Sequence, residues 1–377
     1  MDNIAGTKSS LTWAVNIAVV ALVLLWTIPT FGLLVSSFRD RDQITTSGWW
    51  TSMSASERSI TTRAGAPSEA VQVGDQWVIE GNLFEAGDGT ITAFGINAQR
   101  PAEFAPGATA ERRGAFITVQ ENGDYRITSV EQPTGNRGTR IFLASIEDPK
   151  FSFDNYERVL FSEGIGRSFL NTFTVTIPAT IIPILIAAFA AYALAWMEFP
   201  GRALIVATVV GLLVVPLQMS LIPLLKLHNG VGLGKSYLGI WLAHTGFGLP
   251  LAVYLLRNYI IGLPREIIES ARVDGATDFE IFTKIVLPLS FPALASFAIF
   301  QFLWTWNDLL VATVFLGNNE EQLVMTGRLR ELLGSRGGDW EILAASAFVS
   351  IAVPLVVFFS MQKFLVRGLL AGSVKGG

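Results

Sequence analysis

Charged side chains vanish from the chain in six places. Residues 9–38 and 168–197 are charge-free over 30 positions each, and 203–225, 236–256, 285–307 and 342–362 over 23, 21, 23 and 21. A bilayer core of about 30 Å needs roughly 20 apolar residues in a helix. The pattern therefore predicts six transmembrane helices. The first stretch exceeds the 7–15 residues of a signal-peptide core, and its far end, Ser36-Ser37-Phe38-Arg39, lacks a small-residue cleavage pattern. It reads as a retained helix.

Between the first two apolar stretches the pattern changes. Residues 115–121 and 124–130 read as strands around Asn122-Gly123, a strong hairpin signal. Gly74-Asp75 and Gly87-Asp88-Gly89 mark turns around further apolar runs at 76–84 and 90–96. The chain divides into 1–38, the N-terminus and first span; 39–150, a small β-rich insertion; 151–362, spans two to six; and 363–377, a basic, glycine-rich tail. The insertion is either a spacer that shields the rest or a docking surface for a partner.

Composition sharpens this picture. Of 377 residues 51% are hydrophobic and only 15% charged, with a mean hydropathy of +0.46, whereas soluble proteins carry about a quarter charged residues. A soluble globular enzyme is excluded. The net charge of −4 leaves no nucleic-acid footprint. Zero cysteines and two histidines, His228 and His244, leave no thiolate chemistry and no His-rich metal site. Segment 38–167 holds 18 acidic and 13 basic residues, a soluble-type composition. Basic residues in the short connections number nine on the side of the two termini and five on the other. That bias places both termini in the cytoplasm and the insertion outside.

The most informative connection is Leu263–Pro292. Pro264 can open a helix, and residues 265–273 continue it with Ile267, Ile268, Ala271 and Val273 on an apolar side. Asp274-Gly275-Ala276-Thr277 breaks it, because Gly supplies a sharp turn and Asp or Thr caps the next helix. Residues 278–287 form that second helix, closed by Pro288 and Pro292.

Glu269-Ser270-Ala271, Asp274-Gly275-Ala276, Phe282, Leu287-Pro288-Leu289 and Pro292 together resemble the EAA loop of ABC-importer permeases. Ser270 stands where that family usually has Ala, a small-for-small change. Phe153-Asp154-Asn155-Tyr156, Ser168-Phe169, Asn171-Thr172, Trp306-Asn307-Asp308 and the terminal Leu370–Gly376 are similar to carbohydrate-type permeases. The likeness covers 150–377 and, more loosely, 10–40. It is greatest to the MalG-like branch, and the large insertion looks most like the α-glucoside importers.

The resemblance implies a type I ABC-importer permease fold: an all-α polytopic membrane protein of six transmembrane helices, with a β-rich extracytoplasmic insertion between helices one and two. It implies the bacterial cytoplasmic (inner) membrane. It further implies a coupling helix at 265–273 seated on a separate ATPase subunit, with Glu269, Ala271, Asp274, Gly275, Ala276, Phe282, Leu287 and Pro288 as coupling residues. The implied partners are a homologous MalF-like permease, two ATPase subunits and an extracytoplasmic sugar-binding protein. ATP and Mg would be bound by the ATPases, with no cofactor, metal or catalytic residue in this chain. The tail would reach the ATPase interface.

Asp308 is the one acid well inside an apolar stretch, and an ionisable group at membrane depth is a functional candidate. Gln301, Trp304, Thr305 and Asp308 recur at i, i+3, i+4 and i+7 and so share one helical face. Polar groups beside an aromatic plate suit a sugar. Pro216 and Pro223 interrupt span three, and Gln218 between them is a further pathway candidate. His244 reads as a satisfied structural histidine. Asn229–Ser236 is one residue short of a phosphate-binding loop but lies between two spans, and reads as a turn. The function expected is ATP-driven import of a carbohydrate. The alternative is a self-sufficient secondary transporter using Asp308 as its ion or proton site; a membrane-anchored sensor leaves the six spans and the 263–292 loop unexplained.

Overall fold

The structure, a computed structural model, describes residues 10–84, 89–335 and 337–371. The described residues form two bodies: one takes those from 10 to 155 together with 339–344, the other those from 156 to 338 and from 345 to 371.

The first body begins with α1 (Ser10–Ser37) and the short α2 (Arg41–Thr46). Most of the α1 side chains are apolar and exposed. Arg39 is buried beyond the end of α1, where its guanidinium donates to the carbonyls of Gln43 and Ser47. Asn155 donates to the carbonyls of Ser37 and Arg39, both at 3.0 Å, so the returning chain is tied to the helix it left.

Eight strands follow: β1 (Ser56–Arg63), β2 (Val71–Val73), β3 (Gln76–Asn82), β4 (Thr90–Gly95), β5 (Thr109–Arg112), β6 (Ala115–Val119), β7 (Asp124–Ser129) and β8 (Arg140–Glu147). They make a three-stranded sheet, β1-β8-β4, and a five-stranded sheet, β2-β3-β7-β6-β5. Burial alternates along β1 as the period of a strand requires. Ile91, Phe94, Ile141 and Leu143 of one sheet meet Ile79, Ile117, Val119 and Ile127 of the other in one core. The β6–β7 hairpin turns at Asn122-Gly123, with Gly123 at φ +88°. Part of the Gly87-Asp88-Gly89 turn lies outside the described residues.

The second body opens with α3 (Asp154–Phe161), whose first two residues belong to the first, and α4 (Ile165–Trp196). Then come α5 (Arg202–Leu212), α6 (Leu217–Gly230), α7 (Tyr237–Ile261), α8 (Arg265–Val273), α9 (Asp278–Ile281), a π-helical turn at 282–286, α10 (Leu287–Leu289), α11 (Phe291–Trp306), α12 (Leu310–Phe315), α13 (Met325–Ser335) and α14 (Trp340–Ala371), whose first five residues belong to the first body. Four described helices, α1, α4, α7 and α14, are each long and apolar enough to cross a membrane; counting each bent pair as one span gives six.

Two of the six stretches are bent, the third where Pro216 was expected to interrupt it. The third stretch breaks by 109° between α5 and α6, and the fifth by 69° between α10 and α11. Proline explains both. Pro216 is the N-cap of α6, and a residue before proline is pushed out of the helical region. Pro288 and Pro292 flank the second bend and remove the amide protons a continuous helix would use there. The second loop helix, expected over 278–287, stays α-helical only to Ile281 before the π turn.

α4 packs most extensively on α7 and next on α11. Its prolines leave a signature. In a helix the carbonyl of residue i bonds the N–H of i+4, which proline lacks. Pro178 so frees the carbonyl of Thr174, and Trp241 of α7 donates to it at 2.9 Å. Pro183 frees that of Ala179, and Gln301 of α11 donates to it at 3.1 Å. Pro354 frees that of Ser350 in α14, and Trp306 of α11 donates to it at 2.9 Å. Each of these three helix–helix ties sits where a proline made an acceptor available.

Candidate functional site

The hairpin at 265–289 is built by two consecutive local devices. α8 ends in a Schellman turn: Ala276 N–H donates to the carbonyl of Ala271 and Gly275 N–H to that of Arg272, both at 3.0 Å. Gly275 lies at φ +82°, in the left-handed region that turn needs, with open space where a Cβ would be. Thr277 then caps α9 in a capping box, accepting from Glu280 N–H while the Glu280 carboxylate accepts from Thr277 N–H at 3.1 Å. Ile268, Ile281, Phe282 and Val286 are buried in one core with Ala187, Ala191, Tyr192 of α4 and Ala252, Leu256, Ile260 of α7.

The expected coupling residues divide into two groups there. Ala271, Ala276, Phe282 and Leu287 turn inward to that core. Glu269, Asp274, Gly275 and Pro288 are exposed. Glu269 pairs with Arg265 at 2.8 Å, one turn back on α8. Glu266, Glu269, Ser270, Val273 and Asp274 line an open depression of about 350 Å³, so α8 presents an acidic exposed face.

The second site is a buried polar group among α4, α7 and α11. Gln301 and Thr305 on α11, His244 and Thr245 on α7, and Thr176 and Thr180 on α4 are all buried. Several of their polar atoms, including both ring nitrogens of His244, the Gln301 carbonyl oxygen and the four threonine hydroxyls, have no hydrogen-bond partner among the described residues. Buried polar atoms are nearly always bonded, so this is a place among the described residues where water or ligand hydroxyls are needed. The Trp304 ring stands edge-on to His244, centroids 5.4 Å apart. The expectation that His244 is satisfied is thereby corrected.

Asp308 does not continue the α11 face. That helix ends at Trp306, and the Asp308 carboxylate caps α12, accepting from Ala312 N–H at 2.9 Å and Val311 N–H at 3.3 Å. The sequence spacing assumed an unbroken helix, whereas an acid with two nearby amides ends one helix and starts another. The His244 Nε2 is 3.8 Å from its Oδ2, so Asp308 still borders the polar group. Gln218 is exposed on α6 and is not part of it. Thr305 joins the group as the spacing predicts, whereas Thr245 and the α4 threonines are not among the sequence candidates, although Thr172, Thr176 and Thr180 recur every fourth residue on α4. Thr172 and Asn171 hold the 321–325 segment: Thr172 accepts from Met325 N–H, and Asn171 donates to the carbonyls of Glu321 and Leu323.

Residues 164–370 match the family described as binding-protein-dependent transport system inner membrane component. The chain belongs to this family. The permease is 65% identical to the alpha-glucoside transport system permease protein AglG of Rhizobium meliloti, over 98% of its own length and 99% of that protein's. It is 42% identical to the osmoprotective compounds uptake permease protein GgtD of Synechocystis, over 96% and 91% of the two chains. Among solved structures, a bacterial ABC transporter that imports the acidic polysaccharide alginate covers 58% of the permease and 81% of its own chain, at 24% identity and a TM-score of 0.48.

Proposed function

We propose that this permease moves an α-glucoside, a disaccharide or maltooligosaccharide, across the bacterial cytoplasmic membrane in an ATP-driven importer. The observation that carries the substrate is end-to-end likeness to an alpha-glucoside permease, which spans the 39–150 segment as well as the transport domain. In this reading both termini and the α8–α9 hairpin face the cytoplasm and the β-rich insertion faces outward. A homologous MalF-like permease, two ATPase subunits and an extracytoplasmic sugar-binding protein complete the assembly. ATP and Mg are bound by the ATPases, and hydrolysis happens there.

The acidic exposed face of α8 supports its role as the helix that the ATPase moves. A closing ATPase pushes α8, and α8 shares its core with α4 and α7, so a rigid-body shift reaches the bundle. The buried polar group around Gln301, Trp304 and Thr305, bordered by Asp308, supports a sugar path, because hydroxyls can pair its open valences while the Trp304 ring offers a stacking plate. Gln218 lines that path only if the bundle rearranges. Lipid and the second permease cover the exposed apolar faces of α1. Asp308 is engaged as a helix cap, which weighs against its being the ion site of a self-sufficient transporter.

The experiment is affinity purification of the tagged chain from native membranes in mild detergent, with mass spectrometry of what accompanies it. An ATPase and a second multi-span chain are expected. The chain alone, folded and active in uptake, would overturn the assignment.

A further inference from the structure

Hydrophobic contact between the hairpin and α4 is extensive but non-directional. The Phe282 ring lies 4.6 Å from that of Phe189 and 5.4 Å from that of Tyr192, centroid to centroid. Such contacts let one helix slide on another. A directional connection exists at one point. Tyr192, 4% exposed, donates its hydroxyl to Asp278 Oδ1 at 3.1 Å. The same Oδ1 accepts from Arg272 Nη2 at 3.3 Å, and Arg272 Nη2 also reaches the carbonyl of Trp196 at 3.4 Å.

The four groups close a ring. Tyr192 and Trp196 are one turn apart on α4, Arg272 is in the last turn of α8, and Asp278 is the first residue of α9. The carboxylate at the start of α9 holds both limbs of the hairpin to the end of α4. The end of α4 is in turn tied to α7, by Arg257 Nε to the carbonyl of Leu194 and Trp196 Nε1 to that of Ile260, each at 3.2 Å. Thirteen residues back along α4, about 20 Å at 1.5 Å per residue, lies the Ala179 carbonyl held by Gln301.

We propose that Tyr192, Asp278 and Arg272 form a bracket that converts displacement of α8 into displacement of α4, with Tyr192 as its positioning residue. Without the Tyr192 hydroxyl the hairpin slips on the Phe282 contact, and ATP hydrolysis proceeds without a matching amount of transport. This rests on the assignment of α8 as the helix an ATPase moves.

The test uses the whole complex, with partner permease, ATPase subunits and binding protein, in proteoliposomes. ATP hydrolysis and sugar uptake are measured together, with maltose, sucrose or trehalose, whichever the unmodified complex imports. Tyr192→Phe removes the hydroxyl and keeps the ring on Phe282; Asp278→Ala and the double variant complete a cycle. Lys284→Ala, which breaks an ion pair with Glu280 inside the hairpin, serves as the control. Removing a hydrogen bond to a charged group shifts an equilibrium by roughly ten-fold or more, so sugar moved per ATP is expected to fall by about that factor in Tyr192→Phe. The ATPase subunits are retained, hydrolysis continues, and the double variant is no worse than Asp278→Ala alone. An unchanged ratio, or losses that add, overturns the bracket. Loss of the ATPase subunits from Tyr192→Phe also overturns it, by making Tyr192 an assembly residue. If the unmodified chain carries no ATPase, the assignment of α8 fails first and the bracket with it.

Discussion

Gln301 donates its side-chain amide to the carbonyl of Ala179 at 3.1 Å, and that carbonyl lacks its own helical donor because Pro183 stands four residues further on. The pair explains how α4 keeps Pro183 in an apolar interior, where a freed backbone carbonyl must find a partner, as Trp241 does for Pro178.

Gln301→Leu leaves that carbonyl unpaired and is expected to cost about 1–3 kcal/mol. Pro183→Ala restores the amide donor within α4. The two changes together are therefore expected to cost less than the sum of each alone. Thermal unfolding of the purified complex across the four-member cycle reads this directly, and strict additivity would show that the freed carbonyl is not what Gln301 satisfies.

Gly248 on α7 permits the same contact. A Cβ there would stand 2.7 Å from Gln301 Oε1, closer than van der Waals contact allows. The end of a glutamine side chain yields before a helix backbone does. Gly248→Ala is thus expected to displace the Gln301 amide and to reproduce the Gln301→Leu stability loss, with little further loss when the two are combined. A fully additive double variant would contradict the shared mechanism.

Asp308 offers a sharper choice. Asn keeps one acceptor oxygen, which can serve the closer amide of Ala312, so Asp308→Asn is expected to retain uptake, whereas Asp308→Leu loses both amide partners and about 1 kcal/mol or more of local stability. Uptake by membrane vesicles from the two variants decides it. Abolished transport in Asp308→Asn, with the protein folded and assembled, would instead mark the charge itself as essential.

Much of this architecture is legible in the sequence because the governing physics is local or compositional. Gaps between charges locate the apolar helices, since burying one charge in a bilayer is costly. Asp274-Gly275 foretells the break after α8, since only glycine takes φ +82° without strain. Asn122-Gly123 fixes the β6–β7 turn for the same reason. What fails is whatever depends on helix continuity or on a neighbour. Asp308 fits the face of Gln301 and Trp304 only if α11 runs past Trp306, and the amides of α12 compete for its carboxylate. Nothing in the sequence shows that the ring nitrogens of His244 are left without hydrogen bonds. Trp241, Gln301 and Trp306 cannot be matched to the prolines they serve until α4, α7, α11 and α14 are packed. The tail at 372–377 lies outside the described residues.

Gly275 tests the turn in the α8–α9 hairpin. A residue with a Cβ forced into the left-handed region costs roughly 1–2 kcal/mol, and Asn bears it better than a branched residue. Gly275→Asn is expected to keep the ATPase subunits in a detergent pull-down, and Gly275→Val to lose most of them while still inserting in the membrane. Gly275→Asp, which adds charge to an already acidic face, is expected to abolish the association. Equal recovery of ATPase with all three would show that the turn does not shape the contact.

ATP-driven import is tested most directly by uptake of labelled maltose, sucrose or trehalose into proteoliposomes holding this permease with its co-purified partners and binding protein, ATP being supplied on the ATPase side. Uptake of at least one of these sugars is expected to require ATP and the binding protein, to stop with vanadate and to survive an uncoupler. Uptake that needs no ATP and is abolished by the uncoupler would contradict it.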